Sequence, residues 1–185
     1  MTNLIRELPR ELHLVLLDDT IRVEDFSCHA EQESIPLETF FRKDALDNQH
    51  KRITVTYVAV TKDDEPIGFF SIACGSIRAD NLPERQTSHM PVRKRYPALY
   101  IGRLAVADNY RNRGVGTWMM EQLFARAIHL SREIGCRYII VQSKPLAKDF
   151  YEKHFRFIRA REMDNGSTLY YKNMNTLSNE FIKNI

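Results

Sequence analysis

The loop Arg111-Asn-Arg-Gly-Val-Gly116 has the composition of a site that binds a diphosphate. Gly114 and Gly116 have no side chains, so an anion can approach the main chain closely there. A helix that begins near Gly114 would present its first amide groups, which have no partner within the helix, to that anion. Arg111 and Arg113 add positive charge at the rim. Two glycines alone would also suit a helix cap, so the flanking elements must decide between these interpretations.

The apolar pattern on both sides of this loop predicts a strand before it and a helix after it. The strand is Leu99–Val106. After the loop, apolar residues recur at steps of three or four as far as Glu133, which is typical of a helix with one buried face. The other common phosphate-loop patterns, Gly-x-x-x-x-Gly-Lys-Ser/Thr and Gly-x-Gly-x-x-Gly, do not occur in the chain.

The remaining segments predict an α/β fold with a mixed, mostly antiparallel sheet flanked by helices. Its parallel pair is formed by Leu99–Val106 and Tyr138–Gln142, which are joined by the helix. The segment from Arg78 to Pro97 holds three prolines and is predicted to be a mobile loop. The other predicted helices are residues 20–50 and Leu146–His154, and the other predicted strands are Arg52–Val60, Ile67–Ala73, Phe155–Phe157 and Ser167–Tyr171.

Length and composition suit one domain. Of the 185 residues, we expect about 20–172 to form the core and the rest to include a short C-terminal tail. Cys28, Cys74 and Cys136 show no CxxC spacing, so we expect reduced thiols and no metal. No apolar run has the roughly 18 residues of a membrane helix, and we expect a cytoplasmic protein. The net charge of +3 permits a polyanionic partner without requiring one.

Two motifs resemble those of a known superfamily. Arg111-x-x-Gly114-x-Gly116 after Leu104-Ala-Val106 resembles the acetyl-CoA motif of the GNAT N-acetyltransferases, and Ala147-Lys-Asp-Phe-Tyr-Glu-Lys153 resembles their second conserved segment. The resemblance implies the GNAT fold with a central splayed parallel strand pair, acetyl-CoA as cofactor, and a homodimer. It implies that main-chain groups of the strand hold the pantetheine and the thioester carbonyl, and that loop amides hold the pyrophosphate. The implied cofactor-binding residues are Leu104, Ala105, Val106, Arg111, Asn112, Arg113, Gly114, Val115, Gly116, Thr117 and Phe150.

Acetyl transfer to an amine requires a neutral nucleophile, donors for a developing oxyanion, and a proton for the departing thiolate. We predict Tyr151 as the general acid, because a phenol with an ordinary pKa of about 10 suits a thiolate of similar basicity. The alternative is that Tyr151 packs beside Phe150 as a core aromatic residue. The general base is left open between a chain of water molecules and four side chains, which are Glu24, Glu33, His89 and Asp108.

A closer resemblance extends from about Phe26 to Ile158. Segments such as Phe26-Ser-Cys28, Ile67-Gly-Phe-Phe70 and Gly102-Arg-Leu-Ala-Val106 are similar to the acetyltransferase toxins of type II toxin–antitoxin systems. This resemblance implies that the acceptor is the amino group of aminoacyl-tRNA and that a ribbon-helix-helix antitoxin is a partner. The chain departs from that family in having His29 for Gly, Ala107 for Asp, and Phe155-Arg156 for Gly-Phe.

A tRNA acceptor end requires positive charge beside the amine site, and the basic segment before Leu99 can supply it. The candidates for substrate contact are Arg78, Arg93 and Arg95. Two alternatives stay open at this point. The first is an acetyltransferase of a small-molecule amine or a protein N-terminus, and the second is a non-catalytic module that senses acyl-CoA. A proton donor at Tyr151 favours an enzyme, because a sensor does not need one.

Overall fold

The computed structural model describes residues 8–9, 11–29, 36–88, 91 and 94–182. The strands are β1 (His13–Leu16), β2 (Val55–Val60), β3 (Pro66–Arg78), β4 (Arg95–Val106), β5 (Tyr138–Ser143), β6 (Ile158–Glu162) and β7 (Thr168–Asn173). The helices are α1 (Leu37–Thr39), α2 (Ala45–His50), α3 (Glu84–Thr87), α4 (Val115–Glu133) and α5 (Met174–Ile182). π-Helical turns occupy Phe40–Asp44 and Phe150–His154, and 3-10 turns occupy Val23–Asp25, Ala79–Asn81, Asp108–Tyr110 and Pro145–Ala147.

The seven strands form one sheet in the order β1-β2-β3-β4-β5-β7-β6. The pairs β1–β2, β2–β3, β5–β7 and β6–β7 are antiparallel, whereas β4 and β5 are parallel. The parallel ladder begins where Ala98 pairs with Tyr138 and ends where Ile101 pairs with Val141, while β4 continues to Val106. The predicted mixed sheet with a splayed parallel strand pair is therefore confirmed.

One compact unit lies within residues 8–73 and 102–123. Alternate residues of β2 and β3 point to the same side of a sheet, and in this unit they pack against an aromatic cluster. The ring of Phe69 stacks on that of Phe41 at 4.4 Å and meets the edge of Phe26 at 5.5 Å. On the other side of β3, a Cβ atom at Gly68 would lie only 2.9 Å from the sulfur of Met119. Helix α4 therefore packs closely against β3 at this glycine.

The second compact unit lies within residues 74–101 and 124–182. Its centre is a set of buried tyrosines, in which the ring of Tyr138 makes edge contacts with Tyr96 at 6.3 Å and Tyr171 at 5.7 Å. Phe124 packs against Phe155 at 5.6 Å and Phe157 at 6.2 Å. Each unit thus has aromatic packing of its own, and the expectation of one domain stays a prediction.

The predicted helix over residues 20–50 is wrong in its first part. Asp18 accepts a hydrogen bond of 2.9 Å from the amide of Thr20 and so forms a turn, which competes with a helix. The chain is extended at Phe26, with φ −77° and ψ 127°. Residues 30–35 lie outside the described part, and the helical segment begins at Leu37.

The predicted loop between Arg78 and Pro97 contains regular structure where the chain is described. Helix α3 lies within it, and β4 begins two residues before Pro97. The amide of Ala79 donates to the carbonyl of Lys94 at 3.0 Å, which joins the two ends of the segment. The amide side chain of Asn173 donates to Gln86 at 2.9 Å and anchors α3 to β7. Among the described residues, no helix is both long and apolar enough to cross a membrane.

Candidate functional site

The loop between β4 and α4 has the backbone geometry of an anion site. Asn112 and Gly114 are in the left-handed region, with φ values of 59° and 82°, which at Gly114 favours the absence of a side chain. The first hydrogen bond of the helix runs from the amide of Trp118 to the carbonyl of Gly114 at 2.9 Å. The amides of residues 115–117 therefore have no acceptor within the helix. They lie at the positive end of a 19-residue helix.

The side chain of Arg111 is bound to its own loop. Its guanidinium donates to the main-chain oxygen of His29 at 3.2 Å and forms an ion pair with Asp108 at 3.0 Å. The side chain of Arg113 is half-buried over the ring of Tyr110, 5.3 Å from its centroid. The charge expected at the rim is thus partly engaged in shaping the loop, and the main-chain amides remain its principal donors to an anion.

His29 and Asp108 form a contact that sequence analysis did not predict. The His29 amide donates to the Asp108 carboxylate at 3.1 Å, and the imidazole Nδ1 is hydrogen-bonded to the same group. Burial acts to raise the pKa of Asp108, but the hydrogen bonds from His29 and the positive charges of Arg111 and His29 together outweigh it and hold the pKa below its ordinary value. The hydrogen bond to Asp108 raises the pKa of His29. Asp108 is therefore ionised at neutral pH, and its contacts with His29 and Arg111 shape this loop.

Of the other three candidates for the general base, the structure describes only Glu24. Glu24 is exposed in the 3-10 turn that follows Arg22. Glu33 and His89 lie outside the described residues. The base therefore stays unassigned.

Three residues at the end of β4 were predicted to bind the cofactor through their main chain. Ala105 is buried, whereas Leu104 and Val106 are half-buried. These residues follow Ile101, the last β4 residue of the parallel ladder. The next amide, that of Ala107, donates to the carbonyl of Ile67 at 2.9 Å and fixes the strand end within its unit.

Tyr151 lies in the π-helical turn that follows β5. Its side chain is 6% exposed and meets the rings of Phe150 at 5.2 Å and Phe157 at 5.6 Å. Burial, with a smaller contribution from Tyr100, raises the pKa of Tyr151 above its ordinary value. The phenol therefore keeps its proton at neutral pH, as a general acid must. Packing and a catalytic role are compatible here, because the aromatic neighbours fix the ring that carries the proton.

The candidate substrate arginines lie in the second unit, as far as the structure describes them. Arg78 is exposed and donates to both carboxylate oxygens of Asp80, at 3.0 and 3.1 Å from its Nε. Arg95 is exposed and donates to the hydroxyl of Ser76 at 2.8 Å. Arg93 lies outside the described residues.

The main-chain donors of the loop, the absence of a side chain at Gly114 and the helix terminus suit the diphosphate of an acyl-CoA. Together with the end of β4 beyond the parallel ladder, they are typical of an acyl-CoA-dependent transferase. The chain belongs to the Acetyltransferase (GNAT) family, whose sequence model matches residues 18–157. It is an acetyl-CoA-dependent N-acetyltransferase.

Individual proteins are also similar to this chain. It is 30% identical over 122 residues to the tRNA-acetylating toxin of Mycobacterium tuberculosis (strain ATCC 25618 / H37Rv), and the match covers 65% of this chain and 71% of the toxin. AtaT complexed with acetyl-methionyl-tRNAfMet matches with a TM-score of 0.81 at 16% identity, over 92% of this chain and 99% of AtaT. AtaTR bound with AcCoA matches with a TM-score of 0.76 at 19% identity, over 92% and 98% of the two chains. These structural matches show that the fold is shared.

Proposed function

We propose that this enzyme acetylates the α-amino group of aminoacyl-tRNA and acts as a toxin by blocking translation. The main support for aminoacyl-tRNA as the acceptor is the similarity to the mycobacterial tRNA-acetylating toxin, which extends over 71% of that protein. The solved complex of AtaT with acetyl-methionyl-tRNAfMet shares the fold and supports the same acceptor class.

When bound, acetyl-CoA supplies an acetyl group activated as a thioester. We assign its pyrophosphate to the amides of Arg111 to Thr117 and its pantetheine and thioester carbonyl to the main chain of Leu104 and Val106, and we propose Phe150 as a further cofactor contact. Tyr151 would supply its phenolic proton to the sulfur that leaves as the amine nitrogen bonds to the acetyl carbon, and the proton that the amine loses would pass to solvent. The phenol is protonated at neutral pH, which this role requires, although the pKa raised by burial makes Tyr151 a weaker acid than an ordinary phenol.

Arg78, Arg93 and Arg95 are the proposed contacts to the RNA. The exposed guanidinium groups of Arg78 and Arg95 can each pair with a phosphate, since Asp80 and Ser76 occupy only part of their donors. Contacts of this kind give affinity that falls with salt and depends little on sequence. We further propose a cytoplasmic homodimer that is neutralised by a ribbon-helix-helix antitoxin.

The decisive experiment offers the purified enzyme and labelled acetyl-CoA to aminoacyl-tRNA, free amino acid, a small polyamine and a peptide N-terminus. We expect label on the aminoacyl group of the tRNA, and a loss of about 10²–10⁴-fold in rate for Tyr151→Phe. If the label appears on the polyamine or the peptide and not on the tRNA, that amine is the acceptor and the proposal of aminoacyl-tRNA is wrong. No thiol release with any amine would favour an acyl-CoA sensor.

The toxin activity is tested separately by induction in a bacterial host. We expect growth arrest by the wild-type chain, relief by Tyr151→Phe, and relief by coexpression of a small ribbon-helix-helix protein from the neighbouring reading frame. The proposed toxin activity is rejected if the induced cells grow normally and the charged tRNA in their lysate is unmodified.

A further inference from the structure

The side chain of Lys172 lies in the interior of the second unit, where it is 5% exposed. Lysines are seldom buried unless their charge is paired. The Lys172 ammonium donates to the main-chain oxygen of Phe155 at 3.0 Å and forms an ion pair with Glu180 of α5 at 2.9 Å. It also lies 5.8 Å from the ring centroid of Phe124. These three contacts hold one ammonium group between β7, the C-terminal helix and the turn after Tyr151.

The turn that Lys172 contacts has an unfavourable backbone conformation. Arg156, which follows the contacted carbonyl of Phe155, is left-handed with a φ of 53°. A residue with a side chain persists there only when its surroundings impose the conformation. The hydrogen bond from the ammonium fixes the peptide that joins Phe155 to Arg156, so it constrains this conformation directly.

The same turn is connected to the main chain of Tyr151. The amide of Phe157 donates to the carbonyl of Tyr151 at 3.0 Å, which closes the turn onto the residue that carries the phenol. The ring of Phe155 meets that of Phe150 at 5.0 Å. A shift of the Phe155 carbonyl would therefore move both a hydrogen-bond partner and an aromatic neighbour of Tyr151.

We propose that Lys172, itself held by Glu180, is a positioning residue for the general acid. It fixes the Phe155–Arg156 turn and through it the direction of the Tyr151 phenol, although it does not contact the reacting atoms. The inference rests on the proposed role of Tyr151. A proton donor must lie within hydrogen-bond reach of its acceptor in the transition state, and a displacement of about 1 Å can lower a rate by about 100-fold.

A double-mutant cycle tests this inference with the full chain. The variants are Lys172→Met, Tyr151→Phe, the double variant and Glu180→Gln, and Lys62→Met in the exposed turn before β3 is the matched lysine control. Thiol release at saturating aminoacyl-tRNA, the proposed acceptor, gives kcat and the KM for acetyl-CoA. Thermal unfolding shows whether each variant is folded. We expect Lys172→Met to lower kcat by about 10- to 100-fold with little change in KM. The control should match the wild type.

The double variant distinguishes positioning from general destabilisation. If Lys172 acts through Tyr151, its removal has no further effect on kcat in the Tyr151→Phe background. Two results would reject the positioning role of Lys172 and leave the role of Tyr151 intact. The first is the same fractional loss of kcat from Lys172→Met in both backgrounds. The second is a wild-type kcat for Lys172→Met when Tyr151→Phe is slow. A wild-type kcat for Tyr151→Phe would reject the general acid itself. Where Lys172→Met does not fold, Glu180→Gln replaces it in the cycle with a smaller expected loss of kcat.

Discussion

Arg111 donates a hydrogen bond of 3.2 Å to the main-chain oxygen of His29, which lies 82 positions earlier in the chain. The same guanidinium pairs with Asp108, whose carboxylate accepts the amide of His29. These contacts close a small ring of interactions behind the phosphate loop. The shape of the loop therefore depends on one planar cation as well as on its glycines.

Replacement of Arg111 by Lys is expected to raise the KM for acetyl-CoA by about 10-fold with a smaller effect on kcat. An ammonium group cannot reproduce the fork geometry that binds a carbonyl and a carboxylate together. Steady-state thiol release as a function of acetyl-CoA concentration measures this change. Arg132→Lys, at the exposed end of α4, is the matched control and should keep the wild-type KM. An unchanged KM for Arg111→Lys would show that the loop keeps its shape without the guanidinium.

Gly114→Ala is expected to lower the free energy of unfolding by about 1–2 kcal/mol, because an L-residue is strained at its φ of 82°. Gly135→Ala provides the matched comparison, since a Cβ atom there meets nothing within 4 Å and the position is not left-handed. We expect Gly135→Ala to be neutral or slightly stabilising. Urea unfolding of the two variants measures the difference, and equal stabilities would contradict the left-handed geometry of the loop.

The pKa of His29 is expected to lie above the ordinary value for histidine, which is about 6.5, because Asp108 accepts a hydrogen bond from its ring. A raised pKa means that the contact stabilises the fold fully below the ordinary pKa. That stabilisation is lost as the pH rises through the raised value. An NMR titration of the ring should show the raised midpoint, and Asp108→Asn should return it toward the ordinary value. If Asp108→Asn leaves the midpoint unchanged, the hydrogen bond between the His29 ring and Asp108 does not form in solution.

The cysteines are expected to differ widely in reactivity. Burial raises the pKa of Cys28 to about 11, so only about one thiol in a thousand is ionised at pH 8. Cys74 is exposed. Alkylation with iodoacetamide followed by peptide mass spectrometry should therefore modify Cys74 well before Cys28. Early loss of Cys28 would show that the cluster around Phe26 opens readily.

The strand predicted at Phe155–Phe157 is wrong, because β6 begins only at Ile158. Local spacing was sufficient to predict the strand and the helix that flank the loop at Arg111–Gly116, and the turn at Gly166, which is left-handed at 76°. It could not predict β1, because the strand forms only by pairing with β2, where His13 lies opposite Val60. A short polar C-terminal segment likewise gave no sign that α5 would supply the partner of a buried lysine. The contacts that Arg111 and Asp108 make with His29 could not be predicted for the same reason. His29 lies about 80 residues earlier in the chain, and periodicity does not report contacts between residues so far apart.

The burial of Lys172 also protects its side-chain amine from reagents that modify lysines. Its ammonium group is bound to Phe155 and Glu180 and its side chain is almost fully buried, so carbamylation or acetylation there requires an opening of the structure around it. After a short exposure to a lysine-modifying reagent, the fraction of peptide modified at Lys172 therefore reports the fraction of molecules in which this region has opened. Mass spectrometry of the Lys172 peptide can thus follow how readily this part of the structure opens.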